Sequence, residues 1–355
     1  MFVYVLNVAF IFFLSFLLYG IGKPFKYKNE IMLSISFIFL FLISGLRFNV
    51  GRDYLNYTYT FILVNKLPNL SAIINLSKDS GLEIAFLLLN KLIGLFTSNI
   101  QWIFLTTSFI TLFVIFKTIY KHSSLVWLSV YLFSVSGYLA SFNILRQYIA
   151  ISIIFYSYKY IKDNSLLKFI TLVVIASLFH NSALLFLPLY FILKINLNIK
   201  KISFFTFSGI FITLFFNQII SLVQTFLYGE YTATSFGMTA GNINNVIIAL
   251  IYFCLALFFK KPLLERSNAN RILINWSFVN FILSLMSMKI WLITRLMDYS
   301  SIYLILLVPE IIVSVRDKTS RTLLTMIIIL FTLVLYINNF SDPSNMLIPY
   351  QMNFG

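Results

Sequence analysis

Long unbroken apolar stretches, rather than alternation, organise this chain. They run at 2–20, 31–46, 102–119, 124–141, 144–161, 165–180, 183–195, 202–220, 245–259, 272–290, 299–315 and 322–338. A helix that crosses a bilayer needs roughly 20 mostly apolar residues, with about 17 as the usual lower limit. The pattern therefore predicts an all-α, polytopic integral membrane bundle of about twelve transmembrane helices. The shortest stretch, 183–195, fits only if it packs tightly against its predecessor. A membrane β-barrel is excluded, because its strands would alternate apolar and polar residues in segments of about ten. Residues 83–97 are apolar too, but they are short and include Glu83 and Lys91. They read as an interfacial or re-entrant helix. No internal repeat stands out, so residues 1–355 are expected to form a single membrane domain, with outward loops at 47–100 and 221–244.

Composition makes the membrane reading firm. Apolar residues are 60% of the chain and charged residues only 10%. A soluble domain carries about 25% charged residues. The formal net charge of +15 could suggest nucleic acid. In a polytopic membrane protein, however, excess Lys and Arg marks cytoplasmic loops facing anionic lipid. No nucleic-acid partner is expected. The single Cys254 lies in an apolar run, which excludes an internal disulfide. The first apolar stretch has no basic residue before it and no cleavage site after it, so it is read as a span.

The basic residues also set the sidedness. Lys23, Lys26 and Lys28, Lys117 and Lys121, Lys159, Lys162 and Lys168, and Lys194, Lys200 and Lys201 all fall at one end of the predicted spans. So do Lys260, Lys261, Arg266 and Arg271, and then Arg316, Lys318 and Arg321. The positive-inside rule assigns that end to the cytoplasm and both termini to the outside. The remaining basic residues are Arg47, Arg52, Lys66, Lys78, Lys91, Arg146, Lys289 and Arg295. Arginine is concentrated in this outward set. Its planar fork binds phosphate or carboxylate bidentately, whereas Lys is a point charge.

Four polar clusters fall on the outward face. Gly45 to Tyr57 contains Arg47, Arg52, Asp53 and Tyr54, and reads either as a local Arg–Asp pair at a helix start or as a pocket with two phosphate ligands and a base. Asn143, Arg146 and Gln147 share one helical face, and serve either interhelical hydrogen bonding or a ligand. His180, between two spans, is either structural or a proton relay. Arg295, Asp298 and Tyr299 again share a face, as an intrahelical ion pair or as part of a site. His122 belongs to the opposite side, so the two histidines cannot share a metal. Neither a metal nor a cofactor is expected.

In order along the chain stand Gly45-Leu46-Arg47, then Gly51-Arg52-Asp53-Tyr54 with Tyr57, then Glu83 with Leu88, Asn90 and Lys91. Phe142-Asn143 with Arg146-Gln147, His180 with Ser182-Ala183, Arg295 with Tyr299, and Pro349-Tyr350 follow. This ordered set resembles the EpsG-like family of bacterial polysaccharide polymerases, the Wzy-type repeat-unit polymerases of O-antigen and capsule assembly. The chain departs from the family pattern at Arg52, where a Thr or small residue is usual, and after Glu83, where Pro is frequent. The resemblance implies joining of oligosaccharide repeat units carried on undecaprenyl diphosphate, at the periplasmic face of the inner membrane. It implies diphosphate ligands among Arg47, Arg52, Arg146 and Arg295, and a base among Asp53, Glu83 and His180. Asn143, Gln147, Tyr54 and Tyr299 would complete the binding site. Membrane lipid, a chain-length regulator and a flippase are the partners expected beside the lipid-linked oligosaccharide. A lipid-linked oligosaccharide flippase or other transporter is the rival class, and an O-antigen ligase or single-sugar membrane glycosyltransferase the nearer alternative.

Overall fold

In the computed structural model the described residues are helical, and an isolated bridge between Arg47 and Met352 is the sole extended pairing among them. The structure describes residues 1–20, 26–216, 218, 242–290 and 292–353. Residues 221–241 of the outward loop expected at 221–244 lie outside the described residues. The chain divides into two compact units, Met1–Leu187 with Val308–Gly355, and Pro188–Leu307.

The first unit opens with α1 (Phe2–Ser15), continued by a π-helical turn to Gly20, and α2 (Lys28–Gly45). Three short helices follow: α3 (Tyr54–Lys66), α4 (Leu70–Ser80) and α5 (Ile84–Gly94). Each has local causes. Asn69 caps α4 by accepting from the Ala72 amide at 2.9 Å, and Gly81 ends it in the left-handed conformation, φ 68°. Lys91 donates to the Leu67 carbonyl at 2.8 Å, closing the exposed end of α3. An eleven-residue helix such as α5 spans about 16 Å, roughly half a bilayer core. The segment 83–97 is therefore a short helix and not a full span, as its length and charges indicate.

Next come α6 (Gln101–His122), α7 (Val126–Val135), α8 (Gly137–Asn143), α9 (Leu145–Tyr156), α10 (Tyr158–Lys162) and α11 (Leu166–Ser177). A 3-10 turn, Asn181–Phe186, follows α11. The apolar runs 124–141 and 144–161 are thus broken helices. Ser136 and Ser157 mark the breaks, and their hydroxyls donate back to the Leu132 and Ile154 carbonyls at 2.6 Å. Such back-bonding competes with the helical ladder and bends it.

The second unit holds α12 (Leu189–Ile192), α13 (Ile199–Leu214), α14 (Ile243–Phe258), α15 (Lys260–Arg266), α16 (Asn270–Ser287) and α17 (Leu292–Ser301). Asn275 ties this unit together from within α16 by donating to the Leu193 and Ile195 carbonyls, each at 2.8 Å. α18 (Leu304–Ser314) leads back into the first unit, and α19 (Lys318–Ser341) closes it.

Among the described residues, four helices are long and apolar enough to cross a membrane, α1 with its π turn, α2, α6 and α19, or up to six if α14–α15 and α17–α18 each make one broken span. Of the other expected spans, 272–290 is the continuous 18-residue α16, made more polar by Asn275 and Asn280, and the rest are shorter or interrupted helices where described. Large apolar side chains stand on the helix surfaces, among them Leu323, Ile327, Leu330 and Val334 along α19. That stripe is untenable in water and normal in lipid.

Charge sorts to the two ends of the first unit. At one end Tyr120 donates to Glu30 at 3.0 Å, Lys117 lies over the Tyr156 ring and Lys168 over the Tyr160 ring. At the other end Gln101 donates to the Arg47 carbonyl at 3.1 Å, and the Glu83, Arg146 and His180 side chains meet.

Candidate active site

Glu83 precedes the first turn of α5, and its side chain is buried. The Ala85 amide donates to the Leu178 carbonyl at 3.1 Å, which brings the start of α5 against the end of α11. His180 follows directly in extended backbone. Its Nδ1 lies 2.7 Å from Glu83 Oε1, and the Asn181 amide donates to the same oxygen at 3.3 Å. The other carboxylate oxygen, Oε2, accepts from Arg146 Nη1 in the first turn of α9. Three segments far apart in sequence thus converge on one carboxylate.

The electrostatics are consistent with an ionised Glu83. Burial alone would raise its pKa. The His180 hydrogen bond and the Arg146 charge outweigh that penalty and hold the carboxyl below its ordinary 4.5. An ionised carboxylate only accepts, so Nδ1 of a neutral His180 carries the proton and Nε2 presents the lone pair. Arg146 keeps 24% of its side chain exposed, so it can also face a ligand.

A break between α8 and α9 at Ile144 aims Arg146. Tyr57 of α3 holds that break open. Its hydroxyl donates to the Asn143 carbonyl and accepts from the Leu145 amide, each at 3.0 Å. Two backbone groups that the break takes out of the helical ladder are thereby satisfied. Asn143 works in the same joint: Oδ1 accepts from the Arg52 amide at 2.7 Å, and Nδ2 donates to the Asn345 carbonyl at 3.4 Å. Gln147 is buried in the first turn of α9. Gly51 is required here, because with φ 100° an added Cβ would lie 2.9 Å from Asn143 Oδ1.

Arg47 differs from Arg146. Its side chain is fully enclosed, at 0% exposure. The guanidinium donates to the Ser44 carbonyl and to the Phe142 carbonyl at 3.3 Å, and lies over the Phe104 and Phe142 rings. Burial pushes it down to about 10, with nearby tyrosines acting the other way, so it stays charged near neutral pH. In this structure Arg47 is a tie between the α2–α3 turn and α8, enclosed where Arg146 keeps a reachable edge. Tyr54 is likewise packed inward, stacked on Phe104 with ring centroids 4.3 Å apart. Arg52 is half exposed, 3.9 Å from a carboxylate oxygen of Asp53, and the Asp53 side chain makes no capping hydrogen bond to α3.

Arg295 and Tyr299 belong to α17 of the second unit, where Tyr299 is buried. One turn along, Ser300 donates to Asn280 Oδ1 of α16 at 2.9 Å. Among the described residues no three His, Cys, Asp or Glu side chains group as metal ligands. His122 lies at the lysine-rich end of the first unit, against Tyr158, away from His180.

Two features were not foreseen as parts of the site. Tyr57 entered the sequence reading only as one residue of a motif, and its position on the same face of α3 as buried Tyr54 was the available signal. The segment 346–353 lies along the α2–α3 turn: Gly51 N donates to Met346 O at 2.8 Å, Phe48 N to Gln351 O at 2.9 Å, and Asn353 N to Leu46 O at 2.9 Å. Pairing across that separation has no local sequence signal.

No curated protein matches the chain, and no solved structure does. A family model matches residues 30–352, from the start of α2 through the segment that pairs with the Arg47 turn, and the chain therefore belongs to the EpsG family of Wzy-like polysaccharide polymerases.

Proposed function

We propose that this protein polymerises undecaprenyl-diphosphate-linked oligosaccharide repeat units by glycosyl transfer at the periplasmic face of the bacterial inner membrane. The observation that supports this most is the Glu83 carboxylate bound on one side by His180 and on the other by Arg146, at the end of the first unit opposite its lysines. The reaction needs a base for an acceptor hydroxyl and a cation for a leaving diphosphate.

His180 Nε2 takes the proton as the acceptor oxygen attacks the anomeric carbon of the donor. The bond from that carbon to the diphosphate oxygen breaks, and the lipid diphosphate leaves with the electron pair. Glu83 fixes the imidazole tautomer and stabilises the imidazolium that forms. Buried between two donors, it is poorly placed to take the proton itself. Arg146 offsets the charge that grows on the diphosphate, with half-exposed Arg52 as a second cation of the same unit. Arg295 retains its reading as an anion ligand on the second unit, and Asp53 serves the Arg52 turn. Membrane lipid surrounds the bundle, while a flippase supplies the lipid-linked unit and a chain-length regulator acts on the product.

Deletion of the gene tests the reading. Long polymer should disappear, single repeat units should persist on the surface lipid, and lipid-linked units should remain on the periplasmic face. Units trapped on the cytoplasmic face would identify a flippase instead, and unchanged polymer length would refute both.

A further inference from the structure

Beside the first turns of α3, the first unit contains a cavity of about 530 Å³ whose lining includes Phe48, Asn49, Thr58, Ser98, Asn99 and Gln101. None of its lining side chains is charged. A second cavity of about 290 Å³ shares Asn49 and Leu55 with it and adds Arg52 and Gln351 from either side of the α2–α3 turn. The geometry points to an uncharged-saccharide subsite in the larger cavity, holding the repeat unit beside the Glu83–His180–Arg146 group; this assignment rests on the polymerase reading.

Four observations carry it. The lining sets the amides of Asn49, Asn99 and Gln101 beside a larger apolar surface that includes Leu55, Ile100 and the Phe48 ring, which is 46% exposed. Sugars present hydroxyl edges and apolar C–H faces, so such a lining suits them. Thr58 Oγ1 is buried without a hydrogen-bond partner among the described residues, and a polar atom left so gains from a ligand hydroxyl. Asn49, Asn164 and Met346 are the non-glycine residues with left-handed φ among the described residues, and two of them, Asn49 and Met346, line these cavities. Strained backbone of this kind concentrates at ligand clamps. Finally, α3 carries Leu55 and Thr58 on the cavity side and Tyr57 on the Arg146 side. Tyr54, on the same face of α3 as Tyr57, also lines the cavity, so the cavity wall and the joint that aims Arg146 share that helix.

A diphosphate fits less well, because it would find no cation in the larger cavity.

The test uses purified full-length protein in nanodiscs, probed with oligosaccharides released by mild acid from the cell's own surface polysaccharide. Leu55 is 65% exposed, so Leu55→Trp narrows the cavity without entering a packed core, and Thr58→Val removes the unpartnered hydroxyl. Wild type should bind the fragments. Leu55→Trp and Phe48→Ala should each bind about tenfold more weakly, the equivalent of one lost contact of ordinary strength. Inorganic diphosphate should not displace the fragments. Absence of binding by wild type, equal binding by Leu55→Trp, or displacement by diphosphate would overturn the subsite. If gene deletion shortens the polymer while Leu55→Trp elongates and binds normally, the subsite alone is wrong. If deletion leaves polymer length unchanged, the polymerase reading itself has failed.

Discussion

Glu83 is the residue on which the proposed chemistry of the first unit turns. Its depressed pKa has a consequence for stability. The folded carboxyl releases its proton more readily than the unfolded one, so the stabilisation is fully present above the ordinary carboxylate range and is lost as pH falls through the folded value. Thermal unfolding in detergent should therefore show a midpoint that drops on acidification through that range. Glu83→Gln should show a flatter profile there and a lower midpoint near neutral pH. The loss should be about 3 kcal/mol, because the charge that pairs with Arg146 is gone and one of the two donors, Arg146 or His180, faces an amide NH2 instead of an acceptor. A wild-type midpoint with no acid dependence would contradict the ionised assignment. At this scale the sequence was informative about identity and silent about pairing. Glu83, Arg146 and His180 stand out because a polar group on an apolar background is costly without a partner. That they partner one another, across separations of 63 and 97 residues, has no counterpart in local spacing. Arg47 and Arg146 look alike in sequence, each flanked by apolar residues, yet one is enclosed between aromatic rings and the other retains a reachable edge.

Elements inherit their boundaries from apolarity and their breaks from side-chain hydrogen bonds. The ends of α2 and α6 fall close to the limits of the apolar runs 31–46 and 102–119, because lipid demands continuous apolar length. The interruptions at Ser136, Ile144 and Ser157 are invisible to that criterion. At Ile144 a carbonyl and an amide find an alternative partner in Tyr57; at Ser136 and Ser157 a hydroxyl back-bond accompanies backbone bonds that persist. The break at Ile144 matters most, since it sets the direction of Arg146. Tyr57→Phe removes the hydroxyl that satisfies both Asn143 O and Leu145 N. We expect a stability loss of about 1–3 kcal/mol, together with shortened polymer at normal protein abundance. A variant as stable as wild type with full-length polymer would show that the break does not depend on this hydroxyl.

For the whole molecule, the membrane class and the family were legible throughout the chain, because hydropathy and an ordered set of motifs both survive without a solved relative. The sorting of charge within the first unit was legible too. Lysines gather at the end where Tyr120 donates to Glu30 and Lys117 lies over Tyr156, and the converging carboxylate, imidazole and guanidinium lie at the other end. The division into two units was not legible, since a compact unit is defined by contacts and not by composition. The central claim is that His180, oriented by Glu83, is the base of a glycosyl transfer whose diphosphate is met by Arg146. Its most direct measurement is elongation by protein reconstituted with the lipid-linked repeat unit isolated from the deletion strain, comparing wild type with His180→Ala at matched protein levels. His180→Ala should still bind the lipid-linked unit but elongate it at least about a hundredfold more slowly, the range for loss of a general base. Elongation by His180→Ala at the wild-type rate would contradict it.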